Sequence, residues 1–311
     1  MKNLKIIKNR SDIGAGTRGS DIGIDALEIA AINSNNDFFN HYPFVDVVTH
    51  NESIYNKVKQ NFAKRINYVV EQCERLSEVT LRELKNNFFP LIISGDHSSS
   101  IGTIAGICSA FPKKNLGVIW IDAHADLHSP YTSPSGNVHG MAVAAAMNLD
   151  NIKNSSNRVD EKTLKSWKNL KNINNSNTKI SPSNFIYFGL RSYEDSEKKI
   201  IQENKINCYS VDGIRQRGID VCVNEALKQL ENVEIIYISF DVDSLDCDLI
   251  SKGTGTPVSK GFDSDEIIKI LKNLILSGKV ISLEISEINP LLDNRGNKMA
   301  ETVFKIIDSL F

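Results

Sequence analysis

The chain has few cysteines, five in 311 residues, and none of Cys73, Cys108, Cys208, Cys222 and Cys247 falls in a C-x-x-C pair. An odd, scattered set of this kind argues against a disulfide framework and reads as reduced core or surface thiols. An excess of charge of either sign is also missing. With 36 Lys and Arg against 38 Asp and Glu, the formal net charge is -2, which leaves no basic field for nucleic acid or an anionic membrane. No apolar run is long enough to span a bilayer, and the basic residues 1–10 lack the apolar stretch of a secretory signal. The expectation is a cytoplasmic protein acting on a small molecule. The glycines of residues 14–23 form no G-x-G-x-x-G, and no lysine follows at P-loop spacing, so they read as a surface loop.

What is present is alternation. Short apolar runs at 4–7, 44–48, 89–93, 116–121, 185–190, 233–240 and 280–285 are separated by longer amphipathic stretches, the pattern of repeated β-α units and a mainly parallel sheet. Helical spacing is expected over 54–84, in the Ala/Ile/Gly-rich stretch after Ser100 up to Phe111, over 141–147, after Arg191, over 263–276 and from Met299 onward. Residues 150–183 interrupt the pattern with Asn, Ser and Lys in excess. Leu164, Trp167 and Leu170 recur there at helical spacing, so the segment reads as an insertion with one apolar face inside a single domain spanning 1–311.

Chemistry-bearing residues gather where the apolar runs stop. The run at 116–121 ends in Asp122, His124 and Asp126, and in an extended backbone residues two apart point to one side. The run at 233–240 delivers Asp241 and Asp243 by the same logic, His97 follows 89–93, and Glu287 follows 280–285. Open parallel sheets bind ligands beyond the carboxyl ends of their strands. Two histidines and four aspartates exceed one ordinary zinc site and suit two divalent cations sharing carboxylates. The oxygen-rich set favours manganese, leaves cobalt, nickel or iron open, and disfavours zinc because thiolates are absent. Such a pair acidifies a water for hydrolysis.

Six ordered motifs carry a resemblance: G-D-H-S at Gly95, D-A-H-A-D at Asp122, S-G-N-V-H-G-M at Ser135, S-F-D-V-D-S-L-D at Ser239, G-T-G-T-P-V at Gly253 and E-I-N-P at Glu287. Over nearly its whole length the chain resembles the ureohydrolases, and among them the arginases. The resemblance implies a three-layer α-β-α fold and hydrolysis of L-arginine to L-ornithine and urea by a hydroxide bridging two Mn2+ per subunit. It implies that His97, Asp122, Asp126 and Asp241 hold one metal and His124, Asp122, Asp241 and Asp243 the other. Glu287 matches the guanidinium partner, His139 the proton shuttle, and Asp126 a ligand on the first metal's side. Ser135 and Asn137 match positions that bind the α-carboxylate, Glu194 and Glu197 positions that read the α-ammonium, and Thr256 a residue lining the guanidinium end.

Three positions depart from the family's usual residues. His128 stands where many arginases have an asparagine touching the carboxylate, Ser192 replaces an aspartate, and Glu194 lengthens one. The 150–183 insertion resembles one in a subgroup of bacterial arginases. A homo-oligomer, trimer or hexamer, is implied as well, although the extended tail that helps some relatives form trimers is not seen. The alternatives are a ureohydrolase acting on agmatine or another guanidino compound, a non-catalytic relative, and a one-zinc deacetylase of similar fold.

Overall fold

Runs rich in Ile, Val and Phe become central strands buried on both faces, as a parallel sheet covered by helices requires. The computed structural model describes residues 3–175 and 180–311. In chain order the strands are β1 (Leu4–Asn9), β2 (Phe44–Asp46), β3 (Phe89–Ser94), β4 (Leu116–Ile121), β5 (Phe185–Phe188), β6 (Asn207–Tyr209), β7 (Ile235–Asp241) and β8 (Val280–Ser286). Every pairing is parallel, and the eight strands lie in the order β2-β1-β3-β8-β7-β4-β5-β6. The helices are α1 (Gly23–Asn33), α2 (Phe38–His41), α3 (Ile66–Lys85), α4 (Ser100–Ala110), α5 (Ala142–Ala146), α6 (Glu161–Leu170), α7 (Asp195–Glu203), α8 (Val211–Arg217), α9 (Ile219–Gln229), α10 (Ser264–Leu276) and α11 (Lys298–Leu310).

Alternate residues of each central strand face opposite cores. Ile119, Ile121, Ile236 and Ile238 pack with α1, α9, α10 and α11, while Val118, Trp120, Ile235 and Tyr237 pack with α3, α4, α5 and α6. This is the three-layer α/β arrangement. α4 is apolar all round because α3 lies directly on it: a Cβ at Gly102 would fall 2.5 Å from the Cys73 carbonyl oxygen. The chain leaves sequential order between β3 and β4, where β8 and β7 are inserted, so the ends of β3, β8, β7, β4 and β5 stand side by side. That discontinuity is where such sheets take ligands.

Two differences from the sequence expectation have a clear physical cause. The helix expected over 54–84 begins at Ile66: Arg65 sits at φ 55, outside helical conformation, and the Lys64 N–H donates to the Gly136 carbonyl at 2.7 Å. A tertiary tie thus overrides apolar spacing. The strand expected over 44–48 stops at Asp46, pairing with β1 through Phe44, Val45 and Asp46 at the sheet's edge. α1, α8, α9 and the edge strand β6 add to the expected elements. The helix-like piece of the 150–183 segment is α6, which packs on α3, with Trp167 only 2% exposed and its Nε1 donating to Asp150 Oδ1 at 2.8 Å. Residues 176–179 of that segment lie outside the described residues.

Candidate metal centre and cleft

β3 ends in Ser94, and a turn capped by the Asp96 carboxylate on Ser98 N–H carries His97. The His97 ring stacks on Trp120, centroids 4.1 Å apart, and its Nε2 meets Ser239 Oγ at 2.7 Å. With Nε2 donating to that hydroxyl, Nδ1 offers a lone pair. Nδ1 is buried and has no aligned hydrogen-bond partner, yet it lies 3.1 Å from an oxygen of each of Asp122, Asp126 and Asp241. Donors ~2.1 Å from one octahedral cation lie ~3 Å apart, the spacing between Nδ1 and each of these oxygens, and His97, Asp122 and Asp126 bring their donor atoms close enough together to share an ion. A second group is formed by His124, whose Nδ1 is 2.8 Å from Asp243 Oδ2 and 3.8 Å from Asp122 Oδ1.

Asp241 is the extended last residue of β7, whereas backbone turns bring in Asp126 and Asp243. Asp126 has φ 49, and Asp241 Oδ1 accepts from Asp243 N–H at 2.8 Å within a short turn that continues β7. Ionised together, the carboxylates repel one another in a dry site. Burial, with Asp243 and Asp126 nearby, pushes the Asp122 carboxyl up to about 8. Asp241 is raised well above the ordinary range by burial and by the charges of Asp243 and Asp122. Against the opposing effect of burial, Asp243 holds the His124 imidazole up at about 11. A divalent cation relieves all of these effects, and the donor set fits two of them.

Glu287, at φ 67 past the end of β8, accepts from His97 N–H and lies 3.0 Å from His139 Nδ1, both through Oε1. Its charge, outweighing burial, raises the His139 imidazole to about 9. An open cleft of about 170 Å3 is lined by His124, Asp126, Asp241 and Asp243 together with His128, Ser133, Ser135, His139, Glu194, Glu197 and Thr256. A larger pocket of about 520 Å3 sits at the opposite, amino-terminal ends of β1, β3 and β8, and among the described residues no acidic or imidazole side chain lines it.

Most of the substrate-side candidates have partners within the chain. Glu194 and Glu197 form a capping box at the start of α7, which accounts for their spacing of three. Glu197 also accepts from Leu127 N–H at 3.0 Å. His128 Nε2 lies 2.9 Å from Glu194 Oε2, and its Nδ1 lies 3.2 Å from Thr132 Oγ1. Thr256 Oγ1 donates to Asp243 Oδ2 at 3.3 Å. The structure does not bring Asn137 to the cleft wall: its side chain lies against Gly16, with Lys64 Nζ at 3.4 Å.

From sequence alone neither Ser239 nor Arg191 has an assigned role. Ser239 lies within a quoted motif, but only the fold shows its hydroxyl against His97. The Arg191 guanidinium donates to the carbonyl oxygens of Gly189, Asp243, Ser244, Leu245, Val258 and Ser259, lacing together the loops after β5 and β7 and the loop carrying Thr256. An arginine directly after an apolar run is the only local sign.

The model of the arginase family matches residues 3–311. The chain belongs to the arginase family. It is 32% identical to the arginase of Bacillus subtilis strain 168 over 311 residues, 99% of this chain and 97% of that one. Among solved structures, the arginase of Bacillus caldovelox superposes with a TM-score of 0.83 at 30% identity, covering 100% of this chain and 98% of that one. The arginase of Entamoeba histolytica, solved in complex with L-ornithine, gives a TM-score of 0.82 at 27% identity, covering 99% and 97%. This family member is therefore similar to arginases along its entire length, including the β3, β8, β7, β4 and β5 ends where the six acidic and imidazole donors meet.

Proposed function

We propose that this arginase-family chain hydrolyses L-arginine to L-ornithine and urea. The observation that supports the reading most directly is the His97 Nδ1 atom, buried without a hydrogen-bond partner among three carboxylates, beside a cleft lined by further acidic and hydroxyl side chains. His97, Asp122, Asp126 and Asp241 would hold one divalent cation, and His124, Asp122, Asp241 and Asp243 a second. Asp122 and Asp241 would be shared. The oxygen-rich donor set favours manganese at both positions. When bound, such cations supply an acidified water and positive charge for an electron-rich transition state.

The remaining steps belong to the chain. Glu287 Oε1 is occupied by His97 N–H and the His139 ring, which leaves Oε2, near Gly255, as the acceptor for the substrate guanidinium. His139 holds a proton at Nδ1 against Glu287 and passes a proton to the departing amine. The hydroxyls of Ser133 and Ser135 receive the α-carboxylate, and Glu194 with Glu197 face the α-ammonium directly or through water. The reading also takes the chain as one domain with an insertion at about 150–183, and as a cytoplasmic homo-oligomer, trimer or hexamer.

The test is urea release by metal-stripped protein reloaded separately with manganese, cobalt, nickel or zinc, on L-arginine and agmatine in parallel. Metal-dependent release from L-arginine, with manganese most effective and agmatine poor, is the expected result. Urea predominantly from agmatine would replace the substrate assignment. No urea from either would overturn the enzymatic reading.

A further inference from the structure

The segment that follows α5 is tied to the cleft wall along its length. Asn157 Nδ2 donates to the carbonyl oxygens of Pro130 at 3.0 Å and Ser133 at 2.7 Å. The backbone N–H groups of Ser156 and Asn157 both donate to the Tyr131 carbonyl, at 2.9 and 3.0 Å. Asn151 Nδ2 donates to Leu127 O at 2.7 Å, and Ser129 Oγ donates to Asp150 O at 2.6 Å. Residues 150–157 thus brace residues 127–133 from outside. The brace is itself anchored, because Asp150 accepts from Trp167 Nε1 at 2.8 Å and pairs with Lys171.

Beyond Ser133 the loop turns into the cleft. Ser133 Oγ accepts from Gly136 N–H at 2.9 Å and closes the turn that carries Ser135. Gly136, at φ 72, fits so closely against residue 61 that a Cβ there would fall 1.9 Å from the Asn61 carbonyl oxygen. The loop is therefore seated at its far end by backbone contact and at its near end by two backbone N–H groups on Tyr131 together with the Asn157 amide, which alone reaches Pro130 and Ser133. Asn157 is the only residue among those described whose side chain satisfies two carbonyls of this loop. Without it the Pro130 and Ser133 carbonyls turn to water, and the stretch from Ser133 to Ser135, held less firmly, must be ordered again when substrate binds.

We propose that Asn157 is a specificity-determining positioning residue, holding the 130–135 loop at the depth where its serine hydroxyls meet a substrate α-carboxylate. Selection of an amino acid over its decarboxylated analogue then depends on a side chain that touches neither. The inference rests on the arginine-hydrolase reading above. It is tested on the metal-loaded full chain with Asn157→Ala and Asn157→Asp, the second retaining size but setting an acceptor against the two carbonyls. Steady-state constants on L-arginine, the Ki of agmatine as a competitor and metal content are measured for each.

The expected result is a rise of roughly fivefold to tenfold in KM for L-arginine with kcat changed by less than about twofold. The agmatine Ki and the metal content stay unchanged, because agmatine lacks the carboxylate. Lys153→Ala, exposed in the same segment and without a bond to the loop, leaves every constant unaltered. Unmoved KM in both Asn157 variants overturns the proposal, as does an equal rise in agmatine Ki, which would mean general loosening of the cleft. Absence of urea from the parent protein with every metal overturns instead the reading beneath it.

Discussion

His97 Nδ1 lies 3.1 Å from Asp241 Oδ2, although β8 separates the strands that carry them. The contact is possible because Asp241 closes β7 and His97 sits in the turn just past β3, beyond the carboxyl edge of the sheet where side chains reach across a neighbour. His97→Ala removes the nitrogen donor from that group and leaves its carboxylates facing one another. We expect about one divalent ion per chain to be lost on dialysis and turnover to fall at least ~10-fold. Elemental analysis of the dialysed variant checks this, and full metal content would refute the ligand role.

His139 is held by Glu287 on its ring nitrogen and by Gly14 O on its backbone N–H, at 3.0 and 3.2 Å. Replacing it with Asn preserves bulk but not proton transfer. His139→Asn is expected to lower kcat by about 10²- to 10³-fold while metal content stays constant. Stopped-time urea assays beside metal analysis separate this outcome from a defect in metal loading.

Arg191 satisfies six carbonyl oxygens from three loops. Lysine brings three donors from one point instead of a planar fork, so most of those bonds are lost. Arg191→Lys should cost about 2–3 kcal/mol of stability, read as a lower denaturant midpoint. A midpoint equal to the parent's would show that the loops hold one another without it.

Trp167 fills the space between α6 and the rest of its core cluster. Trp167→Ala should cost about 3–5 kcal/mol through the cavity left behind. Thermal unfolding of the metal-loaded protein measures it, and an unchanged midpoint would remove α6 from the folding core.

Asp160 caps α6 by accepting from Thr163 N–H at 3.0 Å and Thr163 Oγ1 at 2.6 Å, and these bonds hold its carboxyl below the ordinary value of 3.8. A depressed acid stabilises the fold above its unfolded pKa and loses that contribution as pH falls through its folded pKa. Asp160→Ala is therefore expected to cost about 1 kcal/mol near pH 6. The gap between variant and parent should narrow below pH ~3.8. Urea midpoints for the two proteins at pH 6 and at the lowest pH where both remain folded test the trend; a gap that widens on acidification would contradict it.

Much of the centre was legible because its donors sit at sequence landmarks. Asp122, Asp241, His97 and Glu287 each follow an apolar run, and a strand buried on both faces can be read from composition alone. The helix start at Ile66 was not legible, because Lys64 bonds to Gly136 across the fold. The same limit applies to Glu194 and Glu197: their spacing marks a helix start, but only the packed chain places His128 against one and Leu127 N–H against the other.

What this chain encodes locally is the set of central strands, the donors that follow them and the family they mark. Hydrophobic period and residue type act over a few positions, so they survive in the linear order. Which donors share an ion, which hydroxyl fixes the His97 ring and which amide braces the cleft loop were decided by tertiary structure. The inserted pair β8 and β7, the left-handed Asp126 and the reach of Asn157 to Ser133 join residues distant in the chain. Contacts of that kind depend on how whole layers pack, and no local pattern carries them.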